Sequence, residues 1–321
     1  MDIKNVLLIG GCGFVGGWIA NRLSEQGLRV IIPTRRRDNN RALLLLPTVD
    51  VVEADVNDPA ALAALMQGQD AVINLAGILH DADSRLPYGK GFAAAHIELP
   101  KKIVAAMQQA GVRRLLHMSA LNAAADAPSE YLRSKGEGEA VVLAAGAAGT
   151  LDVTVFRPSV ICGPGDSFLN MFAKFLRLLP VFPLGGAAAR FQPVYVGDVA
   201  DAFVAALGDS ATFGQRYELC GPKVYTLREL VEYTGRLIGK PRPVLALGDG
   251  FAYLQAGVLW LLPNPPMSPD NLRSMELDSV TDGSHDYPGW SPMPLEAVAP
   301  TYLTAIKPKL RLDGYRFRAG R

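Results

Sequence analysis

Short apolar runs alternate with longer amphipathic stretches through the first half of the chain. Val6–Ile9, Val30–Ile32, Val49–Val52, Ala71–Leu75, Arg114–Met118 and Val153–Phe156 read as buried strands. Between them, Phe14–Gln26, Pro59–Met66, Ala93–Ala110 and Tyr131–Ala145 read as helices. This alternation predicts βαβ units and therefore a parallel sheet covered on both faces. Right-handed crossovers leave little freedom, so the expected fold class is α/β with a doubly wound parallel sheet.

After about residue 160 the rhythm breaks. Gly163-Pro164-Gly165 marks a loop, Phe168–Leu179 a helix, and Pro180–Gly186 an irregular stretch. Phe191–Val196 and Asp198–Leu207 predict one more strand and helix returning to the sheet. Beyond Cys220 the elements are short and proline-rich, with Pro263, Pro265, Pro266 and Pro269 close together. Residues 1–162 with 191–219 are thus expected to form the sheet domain. Residues 163–190 with 220–306 form a smaller C-terminal lobe for substrate or partner, and 307–321 a basic tail.

The net charge of +1 over 321 residues gives no sign of a nucleic-acid partner. Ile306–Arg321 holds six basic residues (Lys307, Lys309, Arg311, Arg316, Arg318, Arg321) and one acid, Asp313, so that tail is +5 and the remainder −4. Cys12, Cys162 and Cys220 are far apart and lack metal-ligand or redox-motif spacing. Free thiols in a reducing cytoplasmic setting are expected. The N-terminal apolar run is too short for a signal peptide. Phe251–Leu262, the longest apolar stretch, falls short of the roughly 20 residues that span a bilayer.

Candidate chemistry starts at the first turn. Gly10-Gly11-Cys12-Gly13-Phe14-Val15-Gly16 lies between the first strand and helix and satisfies both GxGxxG and GxxGxxG. Glycines there allow a tight turn, backbone approach to a pyrophosphate and close helix–strand packing, with the helix N-terminus facing the phosphates. Such a loop makes the doubly wound sheet a Rossmann domain binding a nicotinamide dinucleotide. Sites for NAD(H) usually place an acid at the end of the second strand. This chain has Thr34-Arg35-Arg36-Arg37 instead. Arginine can pair with a 2′-phosphate, so NADP(H) is the preferred cofactor and NAD(H) the alternative. Asp55 and Val56 end the third strand, where they can meet the adenine.

Tyr131 and Lys135 are four apart on one helix face, and Ser119 ends the preceding strand. A free tyrosine, with a pKa of about 10, is a poor base at neutral pH. A lysine ammonium one turn away, together with the positive nicotinamide ring, favours the phenolate. Tyr131 can then relay a proton to a substrate oxygen that Ser119 holds, while hydride moves at the nicotinamide.

With these motifs the chain resembles the extended or atypical short-chain dehydrogenases/reductases. The likeness covers most of the chain: Gly10–Gly16, Asp55, Asn74-Leu75-Ala76-Gly77, Ser119, Tyr131 with Lys135, Arg157-Pro158, Gly163-Pro164-Gly165 and Tyr195-Val196-Gly197-Asp198-Val199-Ala200. It implies that Leu75, Ala76, Gly77, Arg157 and Pro158 lie along the cofactor, the last two at its nicotinamide end. It also implies that Asp198 starts a helix returning to the sheet. Tyr131 to Glu139 and Pro265-Pro266-Met267-Ser268-Pro269-Asp270-Asn271-Leu272 are similar to one branch, that of the NADPH-holding accessory subunit of respiratory complex I. That branch implies a nucleotide held without turnover, or a link to ubiquinone metabolism. Ile9 replaces the threonine many relatives carry. The short step from Ser119 to Tyr131 disfavours sugar nucleotides as substrates.

His80 is expected in a loop near solvent, and His96 and His117 as structural residues. No cluster suggests a metal. Two readings stay open: an oxidoreductase acting on a hydrophobic carbonyl, hydroxyl or quinone-like small molecule, and a non-catalytic NADPH holder in a respiratory or ubiquinone-linked complex. The apolar segment 251–262 and the basic tail add a membrane surface as a peripheral partner, on the inner face of the bilayer. The oligomeric state is left open.

Overall fold

The computed structural model describes residues 3–83, 85–263 and 265–304, so the basic tail lies outside it. Six strands arise where the apolar runs stand: β1 (Asn5–Ile9), β2 (Arg29–Thr34), β3 (Val49–Glu53), β4 (Ala71–Asn74), β5 (Arg114–Met118) and β6 (Asp152–Pro158). A seventh, β7 (Gln215–Leu219), pairs with β6. All neighbours are parallel, in the order β7-β6-β5-β4-β1-β2-β3. The order reverses between β1 and β4, which opens a crevice at their carboxyl ends.

Alternation along each strand feeds two cores. Val6 and Leu8 of β1 join the core that also holds Ile19, Leu23, Val199 and Phe203. Leu7 and Ile9 point the other way, to Leu62, Ile103, Met107 and Val142. Helices α1 (Phe14–Glu25) and Val196–Leu207 therefore cover one face. On the other lie Pro59–Met66, Leu99–Ala110 and the long helix α2 (Glu130–Ala147). A third core gathers Leu169, Phe172, Leu184, Leu227, Leu230, Leu295 and Leu303 from the second half of the chain.

The last sheet strand is not where the apolar pattern predicts it. Phe191–Val196 contributes two-residue strands to separate small sheets: Arg190–Phe191 with Tyr225–Thr226, and Val194–Tyr195 with Ile161–Cys162. Pro193 interrupts that run and has no N–H for a ladder. The edge position goes to Gln215–Leu219, whose first two side chains are exposed, because an edge strand is paired on one side only. The following helix, Val196–Leu207, forms as expected and packs against α1.

Arg114 locks this edge. It is fully buried, and its guanidinium donates to the carbonyls of Leu207 (3.0 Å), Ala206 (2.6 Å) and Asp152 (2.8 Å) and to the Thr212 hydroxyl (3.0 Å). Two of those carbonyls end a helix, where a cation opposes the dipole. Burial draws its pKa down to about 10. Arg114→Met strands several buried carbonyls and is expected to cost about 2–4 kcal/mol, read as a lower urea midpoint with an unchanged m-value.

Candidate functional site

The glycine loop stands at the crevice. Gly10 has φ +81°, and a Cβ there would lie 2.9 Å from the Ala76 amide nitrogen. A Cβ on Gly16 would lie 2.5 Å from the Gly11 Cα, so loop and helix touch backbone to backbone. Gly13 precedes α1 and gives it no side-chain cap. The first amides of α1, from Phe14, Val15 and Gly16, thus start a helix whose positive end is open to an anion. These features fit a dinucleotide pyrophosphate.

At the end of β2, Thr34 Oγ1 accepts from the Arg36 amide at 3.3 Å, and Arg35 and Arg36 are exposed. Cys12 reaches the same place, its thiol raised by burial against a hydrogen bond from Thr34. Asp55 caps the turn at Asn57, accepting its amide at 2.9 Å and its side-chain nitrogen at 3.0 Å. Those bonds first, then the charge of Arg35, hold its carboxyl below the usual range. Arg35, Asp55 and the neighbouring Val56 therefore flank one end of the crevice, and the Arg35 and Arg36 guanidinium groups are exposed there with no ion pair among the described residues.

At the other end the structure brings the three candidate catalytic residues onto adjoining segments. Ser119 follows β5; its hydroxyl is buried and has no partner among the described residues. Lys135 is buried and donates from Nζ to the Met118 carbonyl at 2.6 Å. Tyr131 packs on Ala120, Ala123 and Ala127, edge-on to His96 at 5.7 Å. Leu75, Ala76 and Gly77 leave β4 beside them, and a Cβ on Gly77 would lie 3.2 Å from His96 Nε2 and 3.9 Å from Lys135 Nζ.

Burial pushes Tyr131 up to about 12 and Lys135 down to about 8, the latter against the pull of Glu139. Without a nicotinamide beside it Tyr131 is a neutral phenol, because desolvation outweighs a lysine that is bonded to the Met118 carbonyl. Arg157 lies on β6 beside a buried acid. Its guanidinium grips buried Glu139 at 2.8 and 2.7 Å and donates to the Ala123 carbonyl at 3.1 Å. A carboxylate as buried as Glu139 needs such a partner. Pro158 accepts the Leu121 amide at 3.0 Å. Both residues brace the Ser119 segment.

Sequence reasoning gave no site role to His96, Ser134 or Asp270. His96 sits in a widened π turn, Ala94–Glu98, just before Pro100, which has no N–H for the His96 carbonyl. Gly138 of α2 lies against that carbonyl; any Cβ there would collide with it. His96 Nε2 accepts the Ile78 amide at 3.0 Å, so its proton is on Nδ1, which meets Ser134 Oγ at 2.8 Å. Ser134 in turn donates to the Tyr131 carbonyl at 2.8 Å. Asp270 caps α2 from the far half of the chain, taking the amides of Glu130 (2.8 Å) and Tyr131 (3.0 Å). His80, expected near solvent, is half-buried against Trp260 with its Nδ1 unpartnered among the described residues. It lines a cavity of about 170 Å³ with Phe92, Trp260, Asp270 and Arg273. The segments singled out by resemblance, Tyr131 to Glu139 and Pro265 to Leu272, contain Ser134 and Asp270.

Parallel order 3-2-1-4, a glycine-rich first turn and polar groups at the carboxyl ends of β4 and β5 define a Rossmann-type dinucleotide-binding protein. More particularly, the chain belongs to the NAD dependent epimerase/dehydratase family, whose model matches residues 6–220. Within it, the chain falls in the branch of the complex I subunits. It is 29% identical to the Arabidopsis thaliana NADH dehydrogenase (ubiquinone) 1 alpha subcomplex subunit 9, over 96% of this chain and 82% of that one. It is 31% identical to the Neurospora crassa NADH-ubiquinone oxidoreductase 40 kDa subunit, over 86% and 71%. A Caulobacter vibrioides ceramide reductase is 31% identical over 64% and 61%. Among solved structures, a Streptomyces venezuelae dTDP-glucose 4,6-dehydratase with NAD bound shares the fold: TM-score 0.66, 22% identity, 77% of this chain and 86% of that one.

The buried histidines set a pH dependence. Burial, then the charge of Lys135, lowers His96 to about 3, and the same two causes hold His117 well below its ordinary value. The unfolded chain takes up these protons near pH 6.5, and the folded chain does not. Their contribution is complete above that pH and is lost as pH falls. Each is expected to remove about 1.4 kcal/mol per pH unit once well below 6.5. Urea midpoints at pH 7.5, 6 and 5 read this; His96→Asn should flatten the decline if the protein keeps its fold.

Proposed function

We propose that the chain is an NADP(H)-dependent oxidoreductase of the short-chain dehydrogenase/reductase type, acting on a hydrophobic carbonyl or hydroxyl compound. The observation that carries this reading is the buried, unpartnered Ser119 hydroxyl beside Tyr131 and Lys135. A buried polar group without a partner is costly, and a substrate oxygen would satisfy it. Gly10, Gly11, Cys12, Gly13, Phe14, Val15 and Gly16 would hold the pyrophosphate, Thr34, Arg35, Arg36, Asp55 and Val56 the adenosine end, and Leu75, Ala76, Gly77 and Lys135 the nicotinamide end. The bound cofactor supplies or accepts hydride. Ser119 orients the substrate oxygen. Tyr131, a neutral phenol, is suited to giving it a proton, the direction of carbonyl reduction. Residues 163–190 and 220–304 would form the substrate lobe, and the Caulobacter relative named a ceramide reductase supports a hydrophobic substrate.

A second reading, an accessory subunit that holds NADPH for a respiratory complex, is favoured by the complex I relatives and by the unactivated Tyr131. Nucleotide exchange separates the two. Protein purified without added cofactor is denatured and the released nucleotide identified by mass spectrometry; exchange against labelled NADPH is then timed. The enzyme reading expects exchange within minutes. It also expects Tyr131→Phe to keep the nucleotide while losing about 100-fold or more in reduction rate. Tight NADPH that exchanges over hours, with no effect of Tyr131→Phe, supports the holder.

Cofactor choice has its own test. Replacing Arg35 and Arg36 with alanine is expected to weaken NADPH by about 10- to 100-fold and leave NADH nearly unchanged, measured by fluorescence titration. Equal weakening of both would remove the basis for preferring NADP(H).

A further inference from the structure

The helix Asp249–Trp260 packs by one side only. Ala252 and Ala256, one turn apart, bury against Leu272, and a Cβ on Gly185 would lie 2.8 Å from the Ala252 Cβ. Gln255 Nε2 donates to the Pro183 carbonyl at 2.9 Å. On the opposite side, Phe251, Leu254, Val258 and, just past the helix end, Leu261 follow at helical spacing and are 69%, 64%, 58% and 82% exposed. Single exposed apolar residues are ordinary on soluble proteins; an unbroken stripe is not.

A second exposed apolar group lies around the strands that lead into the helix. Val244–Ala246 pairs with Phe182–Leu184, the Leu247 amide donates to the Leu184 carbonyl at 3.0 Å, and Arg242 Nε reaches the Leu176 carbonyl at 3.4 Å. These bonds set exposed Leu245 near exposed Leu178 and Val181. The charge here is mostly positive, although Glu276 accepts from the Tyr253 hydroxyl of the same helix at 3.3 Å. Segments 174–184 and 238–262 carry Lys174, Arg177, Lys240 and Arg242 against one acid, Asp249.

We propose that this strip is the face by which the protein docks on an anionic lipid bilayer. Twelve residues make a helix of about 18 Å, too short to span a bilayer but suited to lying in its interface. The apolar stripe would enter the boundary between headgroups and acyl chains, and the four cations would meet anionic headgroups. That mostly positive charge singles out a lipid surface over a second copy of the chain, which would bring the same cations face to face. The helix ends at Trp260, on the cavity shared with His80 and Asp270. A hydrophobic substrate would thus pass from bilayer to site along one surface. That corollary rests on the oxidoreductase reading; the docking does not.

Flotation of the full chain with vesicles tests it, since it reads lipid binding and not turnover. The wild type is expected to float with mixed phosphatidylglycerol and phosphatidylcholine, and poorly with phosphatidylcholine alone. The Phe251→Glu, Leu254→Glu pair is expected to bind about tenfold less while keeping its nucleotide, with a milder serine pair measured alongside. A variant with the six basic residues of the tail changed to Gln is expected to retain binding. The proposal is overturned if the wild type does not float with anionic vesicles. It is also overturned if the tail variant alone loses binding, or if the stripe variants abolish only self-association seen by sedimentation.

Discussion

One helix has to carry three ionisable side chains into the protein interior, and each must find a partner there. Glu130, Lys135 and Glu139 of α2 are 4%, 5% and 2% exposed. Unpaired charges at such depth cost several kcal/mol each. Glu130 accepts the amides of Arg85 and Gly89 at 3.3 and 3.1 Å, from the loop after β4. Lys135 reaches the end of β5. Glu139 takes Arg157 of β6 and lies 3.6 Å from Arg216 of β7. The partners come from the segments that form the crevice, so the need to satisfy α2 also assembles the site.

The same helix joins the two halves of the chain. Its N-terminus is closed twice: by Ser129, which accepts the Leu132 amide at 3.1 Å, and by the Asp270 carboxylate from 139 residues away. A carboxylate at a helix N-terminus is favoured by the dipole as well as by hydrogen bonding. Because Asp270 bonds the amide of Tyr131 itself, the geometry of that tyrosine depends on where the second half of the chain sits. Arg273, near both Asp270 and Glu130, adds a compensating charge.

Electrostatics explain why oxidoreductase and holder share one architecture. The site is dry enough to raise a phenol and lower an ammonium. A dry pocket strengthens any charge a bound group brings. It also leaves Tyr131 protonated until such a charge arrives. Neutral His96 supports this state without adding a charge, passing a hydrogen bond from the Ile78 amide through Ser134 to the Tyr131 backbone. Arg157 neutralises Glu139.

The sequence by itself determined the parallel α/β sheet, its strands β1 to β6, the glycine loop and the spacing of Ser119, Tyr131 and Lys135. Each is written in local periodicity or in spacing along one helix or turn, and those physical rules act between near neighbours. Tertiary structure alone decided the edge strand, because Gln215–Leu219 is polar and becomes a strand only when β6 offers it a ladder. It alone decided the protonation of Tyr131 and His96, since desolvation depends on everything packed around a group. It also placed Asp270, His80 and Trp260 at the site, because residues more than a hundred positions apart in sequence meet only when the chain folds back on α2.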